Sequence, residues 1–248
     1  MIGPDAVERY ARNGFLHIPE ALSTTETDRF RAAVIRRLSA WSTVGDPYER
    51  VLHQLHRPWQ DDPDLAALTV HPRLAAMARA LSGMDQLRVY MDQVISKPPG
   101  GAATIPHQDA PFLPFDDERS LNCWIALDDV TVANGALSYY RGSQALGRLP
   151  LIHLDSTDDL LAERPELGGL PLDTLTMRPG DAVFHNCLTV HEATANRTDR
   201  PRLAYSIQYM SAQATYNGNP NEQLDPYAPT PGQPLDFTCF AVPEGAAR

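Results

Sequence analysis

Long apolar runs are missing from this 248-residue chain, and none approaches the length that a membrane span requires. The N-terminus, Met1-Ile2-Gly3-Pro4-Asp5, has neither a basic start nor an apolar core segment, so no secretory signal is expected. Cysteine is scarce. Cys123, Cys187 and Cys239 are too few and too scattered for a disulfide framework. Basic charge is in deficit, with 21 Lys and Arg against 31 Asp and Glu and a formal net charge of −10. That balance disfavours non-specific binding to nucleic acid or to an anionic membrane. The short acidic runs, Asp61-Asp62 and Asp116-Asp117-Glu118, read as solvated surface. No internal repeat and no low-complexity segment is visible. What remains is ordinary for a globular protein: 43% hydrophobic and 21% charged residues. The expectation is a cytoplasmic protein with a small-molecule partner. The sequence leaves the oligomeric state open.

The chain divides by pattern. Residues 1–86 read mostly as a helical buttress. A short helix over Asp5–Asn13 ends at Gly14, and Phe15–Pro19 reads as a strand. Ser23 caps a helix beginning near Thr24, with Glu26 at the capping-box position. Phe30, Ala33, Val34 and Leu38 form its apolar stripe. A further helix, Arg73–Ser82, is stopped by Gly83. From residue 87 short strands follow: Leu87–Lys97, Leu121–Leu127, Ala136–Tyr140, Thr174–Met177, Ala182–His185 and Leu203–Met210. Turn signals such as Asn134-Gly135 and Pro179-Gly180-Asp181 separate them. The predicted fold is mainly β with flanking helices, one domain over 1–248. Its β core spans 87–210 and an irregular tail covers 211–248, wrapped on the domain towards its mouth.

His107-Gln108-Asp109 carries the chemistry. On a strand, His-x-Asp places an imidazole and a carboxylate on one face. A second histidine far along the chain completes a two-His, one-carboxylate triad, the donor set of non-haem Fe(II) oxygenases. Two histidines compete for that place. His191 is followed downstream by Arg202, which begins a strand. His185 is followed by Arg197, which sits in a turn. Either arginine offers a bidentate partner for the far carboxylate of an oxoacid. Taken alone, His-x-Asp is a common surface pair, and context gives it weight.

The context is a set of motifs in one order. They are Tyr10 to Pro19, Ile95-Ser96-Lys97-Pro98-Pro99, His107-Gln108-Asp109, Cys123 to Leu127, Asn134-Gly135-Ala136-Leu137 with Arg141-Gly142-Ser143, Pro179 to His185, and His191 through Arg202. Together they resemble the phytanoyl-CoA dioxygenase family of Fe(II)/2-oxoglutarate-dependent oxygenases, over roughly residues 7 to 211. The resemblance implies a double-stranded β-helix, the jelly-roll or cupin-like barrel. It implies iron at His107, Asp109 and His191, with 2-oxoglutarate held by Arg202. It also implies cosubstrate contacts at Gln93 and Trp124, and it selects His191 over His185. Many relatives have a serine two residues after the second histidine. Here that residue is Ala193, and strand parity offers Ser206 as a replacement. Halogenases of this kind replace the carboxylate with a small residue, so an intact Asp109 disfavours halogenation.

The implied activity is a dioxygenase that uses Fe(II), 2-oxoglutarate and O2 to oxidise a C–H bond of a small or medium organic metabolite. It releases succinate and CO2, with secondary-metabolite biosynthesis as the setting. Hydroxylation is the default outcome; epimerisation, desaturation and ring closure use the same oxidant. A cupin-like metal enzyme without an oxoacid, and a non-enzymatic binding protein of the same fold, are the competing readings. Tyr48, His56, Trp59 and Phe112 are the candidate substrate walls. Lys97 reads as a strand-end lysine whose amine reaches water.

Overall fold

The computed structural model describes residues 2–40, 50–154 and 159–243; Tyr48 lies outside them. Four helices of the N-terminal third are set by their termini. α1 (Pro4–Asn13) opens on a proline and ends at Gly14, whose φ of +83° only glycine adopts without strain. α2 (Thr24–Ser39) carries the full capping box between Ser23 and Glu26. α3 (Pro63–Thr69) is capped by the Asp62 carboxylate, and α4 (Pro72–Ser82) stops at Gly83.

Ten strands follow in chain order: β1 (Phe15–Ile18), β2 (His53–His56), β3 (Leu87–Lys97), β4 (Thr104–His107), β5 (Leu121–Ala126), β6 (Leu137–Tyr140), β7 (Leu172–Thr174), β8 (Ala182–Asn186), β9 (His191–Ala193) and β10 (Arg202–Ser211). They form a six-stranded sheet in the order β1-β8-β5-β10-β3-β2 and a four-stranded sheet in the order β4-β9-β6-β7. All the named strand pairs are antiparallel. The two sheets face each other as the predicted jelly roll.

Parity along β10 assigns the two faces of the large sheet. Leu203, Tyr205, Ile207 and Tyr209 join the core beneath the helices, with Phe30, Leu65, Leu74 and Leu81. Ala204 points the other way, into a second core between the sheets with Trp124, Leu137, Tyr139 and Val183. Arg202, Ser206 and Gln208 share that inner face. The buried Asp92 carboxylate ties the outer face to the helices: it accepts from Thr69 Oγ1 at 2.8 Å, the Trp59 amide at 3.2 Å and the Tyr205 hydroxyl.

Five helices and strands were not anticipated: β2, α3, β4, β9 and the short helix Leu160–Glu163. The residues before 87 supply two strands of the large sheet, so the buttress is less purely helical than its pattern suggests. The strand expected at Thr174–Met177 runs over Leu172–Thr174, and Met177 makes only an isolated bridge to Val130. Beyond β10 the chain crosses residues 110–116. Asn217 Nδ2 and Asn219 Nδ2 both donate to the Leu113 carbonyl, at 3.2 and 3.0 Å.

Ser23→Ala removes one half of the capping box on α2. It should lower unfolding stability by about 1 kcal/mol, read as a lower urea midpoint at unchanged slope. An unchanged midpoint would show that packing alone holds this helix end.

Candidate metal and oxoacid site

A cavity of about 430 Å³ lies between the sheets. At one wall, His107, Asp109 and His191 bring their ligand-capable atoms within 4.8 Å of one another. His107 ends β4 and pairs across the ladder with His191 of β9, so one backbone register places both imidazoles, with ring centroids 4.3 Å apart. Asp109 does not continue that strand. The chain turns at Gln108, and Asp109 adopts a helical conformation just ahead of the turn Ala110–Phe112. Gln108 holds the turn: its amide donates to the Gly147 and Leu188 carbonyls at 2.9 and 2.6 Å and accepts from the Leu149 amide at 2.8 Å.

The tautomers follow from hydrogen bonding. His107 Nδ1 lies 2.8 Å from the Ile105 carbonyl, and His191 Nδ1 lies 3.0 Å from the Thr189 carbonyl. A carbonyl only accepts, so both Nδ1 atoms carry the proton and both Nε2 atoms present a lone pair. Burial keeps these rings neutral. It lowers the His191 pKa to about 3, with the neighbouring His107 and His185 adding to the effect, and it lowers that of His107 as well. Burial works against ionising Asp109. The hydrogen bond that His185 donates leads the opposing causes, and the carboxyl is held well below its ordinary range. Two neutral nitrogen donors and an ionised oxygen donor fit Fe(II).

Arg202 lies on the opposite, large sheet. It is 2% exposed, and its guanidinium stacks over Trp124 at 4.9 Å. Neither Nε nor Nη1 has a hydrogen-bond partner among the described residues. Burial lowers its pKa to about 10. A buried cation with unpaired donors facing a cavity fits a carboxylate ligand, because leaving it unpaired is costly. Lys97 is its partner in the β3–β10 register and is fully buried. The expectation that its amine reaches water is therefore corrected. Its Nζ meets Thr104 Oγ1 at 3.5 Å, and burial, with the charge of Arg202 beside it, lowers its pKa to about 7.

Gln93, His56 and Phe112 also line the cavity, as does Ser206, which donates to Asn122 Oδ1 at 2.9 Å. Trp59 does not; it packs against the core beneath the helices, on the far side of the large sheet. Its place on a turn behind β3 was not visible in an aromatic-polar stretch of sequence. The C-terminal segment contributes no described residue to the cavity wall. Parity along the β10 strand had already turned Gln208 inward with Ser206, while Gln54, Asn122 and His153 were missed. Parity along the predicted strand Leu121–Leu127 was a usable signal for Asn122; Gln54 lies on β2, which carried no strand pattern. His153 comes from a loop and offered none.

Comparisons with known proteins bear on the family and the fold. A family model described as phytanoyl-CoA dioxygenase (PhyH) matches residues 10–204. A methylphosphonate hydroxylase from Gimesia maris is 29% identical over 212 residues, covering 82% of this chain and 78% of that protein. The crystal structure of SnoK, an alpha-ketoglutarate-dependent carbocyclase from nogalamycin biosynthesis, superposes with a TM-score of 0.85 at 35% identity, covering 98% and 96% of the two chains. The epimerase SnoN, solved with Fe3+, alpha-ketoglutarate and nogalamycin RO, gives 0.80 at 31% identity, covering 96% and 97%.

Gly135 has φ of +106°, and a Cβ there would sit 2.5 Å from Lys97 Cδ and 3.4 Å from Arg202 Nη2. Gly135→Ala should push the Lys97 side chain aside and, through it, disturb the neighbouring Arg202. The apparent constant for 2-oxoglutarate should rise by about tenfold or more, equivalent to ~1.4 kcal/mol, with Fe(II) affinity unchanged. A parallel loss of Fe(II) affinity would instead mean that the whole barrel wall had shifted.

Proposed function

Because the chain belongs to the phytanoyl-CoA dioxygenase family of Fe(II)/2-oxoglutarate-dependent oxygenases, we propose that it oxidises a C–H bond of a small or medium organic metabolite, with hydroxylation as the outcome. His107, Asp109 and His191 would hold the iron. Arg202, with Lys97 beside it, would bind the distal carboxylate of 2-oxoglutarate, and Gln93 and Trp124 would flank the oxoacid. The carrying observation is the pairing of two sites across one cavity: a two-His, one-carboxylate cluster on one wall and a buried arginine with open donors on the other. When bound, iron, 2-oxoglutarate and O2 together supply the oxidant, and the oxoacid leaves as succinate and CO2.

The chain's own residues bind, orient and exclude water. His107 and His191 present Nε2 because backbone carbonyls hold their Nδ1 protons. Trp124 backs the guanidinium and fixes the direction of its fork. Leu52, Ile95 and Leu137 line the wall between the two polar ends and keep it apolar. SnoK and SnoN direct the same cofactors to ring closure and epimerisation, and these are the alternative outcomes. Product mass separates them. Hydroxylation adds an oxygen, ring closure removes two hydrogens, and epimerisation changes nothing.

Substrate class follows from the lining. Beyond the metal and oxoacid groups it is mostly carboxamides, hydroxyls and apolar side chains, with His56 and His153 at hand. Arg202 is the arginine of this wall, and the oxoacid takes it. A small phosphonate dianion would find no further cation cluster among the described residues, and burying it unpaired is costly. Methylphosphonate should therefore leave succinate formation at its uncoupled rate. A stimulated rate would overturn the reading that this pocket excludes a small dianion.

The cosubstrate assignment is tested anaerobically. Fe(II) with 2-oxoglutarate should give the weak visible charge-transfer band of a chelated oxoacid. Arg202→Ala leaves a buried carboxylate without its partner, a loss of about 3–5 kcal/mol. It should raise the 2-oxoglutarate constant by about two to three orders of magnitude with Fe(II) binding largely kept. An unchanged constant would remove Arg202 from the site.

A further inference from the structure

A third histidine stands in the cavity and is not in the metal cluster. His185 lies on β8 in the large sheet, opposite Asn122 of β5 and Phe15 of β1. Both of its ring nitrogens are engaged. Nε2 lies 3.0 Å from Asp109 Oδ2, and Nδ1 lies 3.2 Å from the Tyr139 hydroxyl. An ionised carboxylate only accepts, so Nε2 carries the proton and Nδ1 accepts from the phenol. In that tautomer Nε2 has no lone pair for a metal.

Tyr139 is itself fixed. It is fully buried and stacked on Phe15, with ring centroids 4.5 Å apart. The chain of contacts therefore runs from the core between the sheets, through Tyr139 and His185, to one oxygen of Asp109. The other oxygen, Oδ1, lies 3.7 Å from His191 Nε2 and faces the imidazoles. The small sheet carries the ligand histidines, and the large sheet carries the residue that holds the carboxylate.

We propose that His185, oriented by Tyr139, is the positioning residue that restricts Asp109 to one metal-facing oxygen and so keeps open the coordination position that a chelating carboxylate would occupy. This rests on the ligand set His107, Asp109 and His191. Freed from His185, the carboxylate could turn and bind through both oxygens, taking a place that the oxoacid or oxygen needs.

The test is anaerobic titration of Fe(II), followed by 2-oxoglutarate at saturating iron, on the unmodified protein and on His185→Leu, His185→Gln and Tyr139→Phe. His185→Leu should weaken Fe(II) binding about 10- to 100-fold and should alter the oxoacid charge-transfer band even when iron is saturating. His185→Gln places an amide donor near the position of the lost Nε2–H and should recover most of both. Tyr139→Phe should fall between the unmodified protein and His185→Leu. Should His185→Leu fail to fold, His185→Asn replaces it, since its shorter amide does not reach Oδ2. Unchanged iron binding and an unchanged band in His185→Leu would overturn the proposal. Equal impairment in the Leu and Gln variants would also overturn it, because the role would then be packing. Iron binding that survives in His191→Ala but is lost in His185→Gln would make His185 itself the ligand. An unmodified protein that binds no Fe(II) would overturn the ligand set itself, a result distinguishable from all of these.

Discussion

A carboxylate between three imidazoles sets the terms for this cavity. Asp109 lines a largely desolvated space, where an isolated charge is expensive and would ordinarily be neutralised by a proton. Here it stays ionised, because His185 donates to one oxygen and the other imidazoles stand close to the second. That single negative charge makes the cluster a cation site. The neutrality of His107 and His191 is its complement, since protonated rings would compete with the metal for the carboxylate. The backbone carbonyls of Ile105 and Thr189 then decide which nitrogen of each ring faces inward. The metal chemistry is thus written largely in main-chain geometry around two short strands.

The opposite wall carries the inverse problem. Arg202 and Lys97 are neighbours in register, both buried, and neither forms an ion pair among the described residues. Two adjacent desolvated cations are unstable as a structural device, and their lowered pKa values express that cost. They become reasonable when a dianion completes the set. On the proposed assignment, 2-oxoglutarate would answer both walls at once, with Arg202 as the partner of its far carboxylate. The cavity therefore makes electrostatic sense as a three-part object of cluster, dianion and cation pair.

Sequence patterns revealed the long elements and concealed the short ones. β3 was legible to the residue because its eleven residues end at Pro98-Pro99, where the ladder cannot continue. β10 was legible because alternation over ten residues separates Arg202, Ser206 and Gln208 from Leu203, Tyr205 and Ile207. By contrast β4 and β9 have four and three residues, too few for alternation to register. His107-x-Asp109 was read correctly as a pair but for an incomplete reason. The two groups converge because a turn, held by Gln108, swings Asp109 round, and not because one strand face presents both. Lys97 was misjudged because a strand end normally meets solvent, while here the loop of Gly135 closes over it. The resemblance selected His191 over His185, and no one-dimensional signal ties His185 to Asp109.

The division of labour between the sheets bears on how this fold accommodates different reactions. The two-His, one-carboxylate cluster sits on the small sheet and the turn after β4, while Arg202 and the carboxamides of Gln93, Asn122 and Gln208 sit on the large one. The remaining walls come from other places: β2 through Gln54 and His56, the turn after Asp109 through Phe112 and Leu113, and a loop through His153 and Leu154. Phe112 stands edge-on to the His107 ring, so a change there reaches the cluster, whereas β2 and the loop are separate segments that can change independently of it. The pair that resists such change is His185 and Asp109, because it joins one sheet to the other. A shift of β8 relative to β4 would move the carboxylate before it moved either ligand histidine. Alignment of the two sheets is therefore felt first at Asp109, and Tyr139, wedged between Phe15 and His185, is where that alignment is set.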